Sequence, residues 1–171
     1  RRSVRQFSSR PIPATSLARL RDALRCAPSA CNLQPWRFVF VVDQRLRQQI
    51  AEVANEQLFL AAAPLLVVGC GLPDQAYRQM GGRGNSVDID VAIALDHLSL
   101  AAVAEGLGTC WIGAFDEGKV KTLLQVPSEV KVVAMMPVGF PHAEALIHPV
   151  AEDARKDVAA IFDQDRFQRP A

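Results

Sequence analysis

Three groups of residues carry side chains suited to holding a ligand. Arg1, Arg2, Ser3 and Arg5 place three guanidinium groups and a hydroxyl within five residues, the one dense basic cluster of the chain. A guanidinium donates two parallel hydrogen bonds to a phosphate, and a serine hydroxyl or free backbone N–H completes such a cradle. A solvated terminal tail is the alternative. The second group is Pro28-Ser-Ala-Cys-Asn-Leu-Gln-Pro-Trp-Arg-Phe38, which sets small hydroxyl, amide and thiol groups between two prolines. Each proline fixes its own φ and disfavours helix before it, so the stretch is expected to be a rigid, extended loop able to hold a planar cofactor. The third group is Trp111-Ile-Gly113, where a glycine beside an aromatic lets the backbone come close to a flat ligand, or simply makes a tight turn after a core strand.

Other chemistries find less support. His97, His142 and His148 show no spacing for a metal or a triad, and no serine stands in a Gly-x-Ser-x-Gly context, so no metal site is expected. Gly81-Gly-Arg-Gly84 lacks the Lys-Ser/Thr ending of a phosphate loop. Cys31 has no histidine or lysine nearby in sequence and reads as a packing residue rather than a nucleophile.

The elements that must position these groups follow from periodicity. Leu17, Leu20, Leu24 and Ala27 predict a helix capped by Thr15 or Ser16 and ended by Pro28. Phe38 to Val42 predicts a strand with Asp43 as its stop, and Leu46, Ile50, Val53, Ala54 and Leu58 a helix ending before Pro64. Leu65 to Gly71 is a buried strand, 74–85 an irregular connection, and Val87 to Leu107 a helix apolar on nearly every face. A short strand over Thr109 to Phe115, a helix around Val120 to Leu124, a strand over Val130 to Gly139 and a helix over Ala154 to Phe162 complete the order. Arg155 and Lys156 would open that last helix, a poor place for cations unless an anion lies near. Alternation of helices and strands allows a parallel sheet, but their unequal lengths leave α+β open.

A chain of 171 residues, half of them apolar, makes a single domain with a substantial core. Lys and Arg number 19 against 18 for Asp and Glu, so no global charge points to nucleic acid or a membrane surface. Four scattered cysteines and no visible signal peptide lead us to expect reduced thiols and a cytoplasmic protein. Asp88, Asp90, Asp96, His97 and Glu105 make the 87–107 stretch too polar for a membrane span.

Arg-Arg-Ser-Val-Arg at 1–5, Ala-Pro-Ser-Ala-Cys-Asn-Leu-Gln-Pro-Trp-Arg-Phe at 27–38 and Gly-Leu-Gly-Thr-Cys-Trp-Ile-Gly-Ala-Phe at 106–115 resemble, in order and spacing, the nitroreductase family of FMN-dependent oxidoreductases. The resemblance implies an α+β fold with a mostly antiparallel sheet flanked by helices, in an intertwined homodimer with FMN at the interface. It implies that Arg1, Arg2, Ser3, Arg5 and the late Arg155 serve the FMN phosphate and pyrimidine side. Pro28, Ser29, Ala30, Asn32 and Gln34 would face the flavin of the other subunit, and Trp111, Ile112 and Gly113 would lie along the ring with a backbone N–H near N5. Arg5 and Gly113 are the candidates for tuning the flavin; Asn55 or Gln57 is the candidate for a pyrimidine contact. The implied activity is ping-pong hydride transfer from NADH or NADPH to nitroaromatic, quinone or similar acceptors, with no side-chain nucleophile. Enone reduction, dehalogenation or flavin binding with little turnover are the alternatives. The 74–85 segment stands where a longer lid shapes the substrate pocket elsewhere.

Overall fold

A computed structural model describes residues 1–82, 84–143 and 149–168; Arg83 of the glycine run and His148 lie outside the described residues. Its centre is a sheet of β1 (Trp36–Val41), β2 (Leu65–Gly71), β3 (Gly108–Thr109) and β4 (Lys131–Gly139), in the order β1-β2-β4-β3. Every pairing is antiparallel, which decides between the two architectures that alternation had left open. β2 is buried along its whole length, as expected of an unbroken apolar run covered on both faces.

Helices cover the two faces. On one, Leu20 and Leu24 of α1 (Ala14–Arg25) and Val91, Leu95 and Leu98 of α4 (Val87–Ala104) pack with Leu65, Val67 and Met136. On the other, Ile50 and Ala51 of α2 (Gln44–Val53), Leu60 of α3 (Phe59–Ala62) and Val120 of α5 (Glu117–Leu124) pack with Leu66, Val68 and Met135. Two glycines set how close α4 lies to the sheet. A Cβ on Gly69 would sit 2.8 Å from Leu95 Cδ1, and one on Gly71 would sit 2.5 Å from Val87 Cγ2. The helix therefore rests on bare backbone.

Several boundaries differ from the periodicity, each for a local reason. Pro13 occupies the N-cap of α1 with no side-chain cap, and the Ser16 hydroxyl instead donates to Glu105 Oε2 at 2.8 Å. Asp43 ends β1 and also starts α2, accepting from the Leu46 N–H at 2.7 Å. α2 stops at Val53, because Asn55 and Glu56 turn left-handed and send the chain into α3. Of the 109–115 stretch only Thr109 belongs to a strand, the two-residue β3, followed by a single bridge between Ile112 and Met135. Over 154–162 there is no α-helix but two 3-10 turns, Glu152–Ala154 and Val158–Ala160. Val158, Ile161 and Phe162 are exposed there, and among the described residues they take no part in the core that would support helical packing. The dipole argument for Arg155 and Lys156 falls with that helix.

Candidate functional site

The amino-terminal segment is held across the end of the sheet. Val4 N–H donates to the Thr109 carbonyl at 2.8 Å, Ser8 N–H to Phe140 at 2.8 Å, and His142 N–H to Gln6 at 3.0 Å. Val4 is buried, while its neighbours Ser3 and Arg5 face outward. This alternation is that of a strand, and it turns Arg1, Ser3 and Arg5 to one side. Arg1, Arg2, Ser3, Arg5 and Arg155, with Val150, line one cavity of about 240 Å³. The late arginine joins the opening cluster although most of the chain separates them. Among the described residues none of these four guanidiniums is in an ion pair; Arg1 Nη1 reaches Ser3 Oγ at 3.4 Å and Arg155 Nη1 donates to the Ala154 carbonyl at 2.8 Å. The donor set is cationic with a hydroxyl and no carboxylate, which fits a phosphate.

The 28–34 loop is more folded than its prolines predict. It makes a 3-10 turn over Ala30–Asn32, with Cys31, Asn32 and Gln34 all at positive φ. Left-handed backbone at a residue with a Cβ costs on the order of 1 kcal/mol. Hydrogen bonds offset this: Gln34 N–H donates to Ser29 Oγ at 2.9 Å, Gln34 Nε2 to the Asn32 carbonyl at 3.1 Å, and Ala30 N–H to Asp90 Oδ1 at 3.0 Å. Cys31 is exposed on this turn, so it is not the packing residue that the sequence predicts.

Asp90 is a residue that sequence reasoning missed as part of the site. It is 1% exposed in the first turn of α4, where a helix end favours an anion, and its Oδ2 accepts from the Ser86 hydroxyl at 2.6 Å. A carboxylate inside an otherwise apolar helical stretch was the available signal.

The third group divides. Ile112 points into the core, and its N–H and carbonyl both pair with Met135, at 2.9 and 3.0 Å. Its N–H is spent, so within this block a donor to a ligand falls to a neighbour such as Gly113. Trp111 is 42% exposed and Gly113 is open, with only Trp111 Nε1 at 3.7 Å from the position of an added Cβ. Among the described residues nothing requires glycine there. Of the two pyrimidine candidates, Gln57 reaches this block, donating from Nε2 to the Ala114 carbonyl at 3.0 Å and to the Ala54 carbonyl at 2.8 Å.

These pieces do not meet in one chain. The 29–34 loop is tied to the start of α4 through Asp90, whereas Arg1 and Arg2 lie beside Val103 and Gly106 at its end. Thirteen steps along the helix lead from Asp90 to Val103, about 20 Å at the α-helical rise.

Comparison with known proteins gives a consistent outcome. The sequence profile described as the Nitroreductase family matches residues 1–72 and 59–140. The 5,6-dimethylbenzimidazole synthase of Rhodospirillum rubrum is 35% identical, over 89% of this chain and 82% of its own. A nitroreductase family protein of Clostridium novyi NT superposes with a TM-score of 0.79 at 32% identity, over 85% of this chain and 83% of that one. The NADPH:FMN oxidoreductase of Vibrio harveyi, solved with NAD+, superposes with a TM-score of 0.83 at 25% identity, over 100% of this chain and 76% of that one.

Proposed function

This chain belongs to the nitroreductase family, and we propose that, as an FMN-dependent NAD(P)H oxidoreductase, it reduces nitroaromatic, quinone or similar electron-poor acceptors. FMN, when bound, would supply the redox chemistry of hydride transfer between NADH or NADPH and the acceptor in ping-pong turnover. The chain's own residues bind and orient. Arg1, Arg2, Ser3 and Arg155 hold the phosphate, and Arg5 supplies positive charge toward the pyrimidine edge, where reduction adds negative charge. Gly113 presents a backbone donor on the ring's side, Trp111 flanks it, and Gln57 is oriented by Ala54 and Ala114 at the pyrimidine end.

Ser29, Asn32 and Gln34, with Pro28 and Ala30, serve the flavin held by a second copy of the chain. The observation that carries this reading is the pairing of a four-arginine cradle, in no ion pair among the described residues, at one end of α4 with a hydrogen-bonded polar loop at the other. Two ends of one helix cannot grip a single flavin head, but two antiparallel copies can. The exposed Ile89, Leu100 and Val103 on α4, and the exposed Val158, Ile161, Phe162 and Phe167 near the carboxyl end, supply apolar surface for that union. No described helix is long and apolar enough to cross a membrane, and a cytoplasmic dimer is the setting we propose.

The test is direct. Purified protein is expected to be yellow, to release FMN on denaturation, and to bleach anaerobically with NADH or NADPH, regaining colour on addition of a quinone. A colourless protein that ignores added FMN refutes the reading. A halogenated aromatic tried beside the quinone separates dehalogenation from nitro and quinone reduction.

A further inference from the structure

We propose that Asp90 is a positioning residue that couples the flavin-facing 28–34 loop to residues 73–79, so that order in one is transmitted to the other. The inference rests on the functional reading above. Its basis is a continuous chain of hydrogen bonds, buried at its centre, whose direction is fixed by chemistry. A carboxylate only accepts, so Ala30 N–H donates to Oδ1 at 3.0 Å and the Ser86 hydroxyl donates to Oδ2 at 2.6 Å. With its proton committed, Ser86 Oγ is left as the acceptor for the Tyr77 N–H at 3.2 Å. Ser86 is 0% and Asp90 1% exposed, so the bond between them is shielded from water.

The two elements joined in this way also face each other across solvent. Leu33 of the loop and residues 74–79, including Tyr77, line one cavity of about 530 Å³. A cavity with one wall on a flavin-facing loop is where an acceptor or nicotinamide would be gripped. Asp90 sets the position of both walls without touching what lies between them. An asparagine at 90 offers one acceptor where the carboxylate offers two, so it must reverse the Ser86 bond or lose the Ala30 bond.

The coupling is tested with Asp90→Asn and Ser86→Ala, first without flavin. Hydrogen exchange of both the 29–34 and 73–79 peptides is expected to quicken about tenfold in each variant, while the 17–25 peptide of α1 keeps its protection. With FMN added, its Kd is expected to rise roughly fivefold, and the KM for a quinone to rise with kcat within about twofold of wild type. In Ser86→Ala, exchange that quickens only in 73–79, with 29–34 and the FMN Kd unchanged, overturns the coupling. A fall in Tm alone overturns it as well, since a merely structural carboxylate would do that much. If wild-type protein binds no FMN, the flavin reading fails, and the exchange data still decide whether the two segments are coupled.

Discussion

Val4 lies so close over Gly108 that a Cβ on the glycine would stand 2.6 Å from Val4 Cγ2 and 2.7 Å from its Cβ. The contact presses the basic amino-terminal strand onto the end of β3, where Val4 N–H meets the Thr109 carbonyl. Gly108→Ala must push that strand outward, because backbone on one side and a buried valine on the other cannot both give. We expect a loss of about 1–3 kcal/mol of stability by denaturant unfolding. FMN affinity should weaken in the folded variant, as read by flavin fluorescence. Unchanged stability and Kd would show that the strand is not held by this contact.

Arg1 and Arg155 come from opposite ends of the chain to one cavity. Arg1→Ala and Arg155→Ala should each raise the FMN Kd by roughly tenfold or more while leaving turnover intact at saturating flavin. Arg5→Ala should behave differently, lowering the flavin midpoint potential and slowing reduction by the nicotinamide. A potential unchanged in spectroelectrochemical titration would remove Arg5 from that role.

Leu100 is 55% exposed on α4, so replacing it leaves the chain's own core untouched. Leu100→Arg is expected to yield a folded monomer by analytical ultracentrifugation, with FMN binding lost along with the dimer. A monomer that binds FMN normally would show that the loop does not serve a neighbouring flavin.

Burial pushes the Cys70 thiol up to about 11 from an ordinary 9.0. The unfolded chain therefore ionises this thiol at a lower pH than the native protein does. Stability falls as pH rises from 9 toward 11, by on the order of 2–3 kcal/mol at most. Cys70→Ala should flatten this alkaline limb in urea titrations. At pH 8 a thiol reagent should modify the exposed Cys26 and Cys31 while sparing Cys70 until the protein unfolds.

Glu105 gives the opposite dependence. The Arg19 guanidinium, and then the Ser16 hydroxyl, hold its carboxyl below the usual range. The stabilisation is present above the ordinary value of 4.5 and is lost as pH falls through the lowered one. Glu105→Gln should lessen the acid sensitivity of thermal unfolding; an unchanged acid limb would show that the contact is screened by solvent.

Local chemistry in the sequence determined a good deal by itself. Apolar periodicity located α1, α2, α4 and the buried strands, because a core-facing element must repeat with its own period. Three short blocks carried the resemblance to the family whose profile matches residues 1–72 and 59–140, because each holds its residue types at fixed, short spacing. Periodicity failed where packing partners were missing or unforeseen. The apolar residues of 154–162 have the composition of a helix, yet they lie open in and beside a 3-10 turn because, among the described residues, none covers them. The 28–34 loop was expected extended from its prolines, whereas Asp90, sixty residues away, bends it by accepting from Ala30. Only the tertiary structure decided that Arg155 joins Arg1, that the Ile112 N–H is spent on Met135, and that cradle and loop stand at opposite ends of α4. Each depends on contacts between residues distant in sequence, whose geometry the glycines under α4 and the register of the sheet impose and no local pattern encodes.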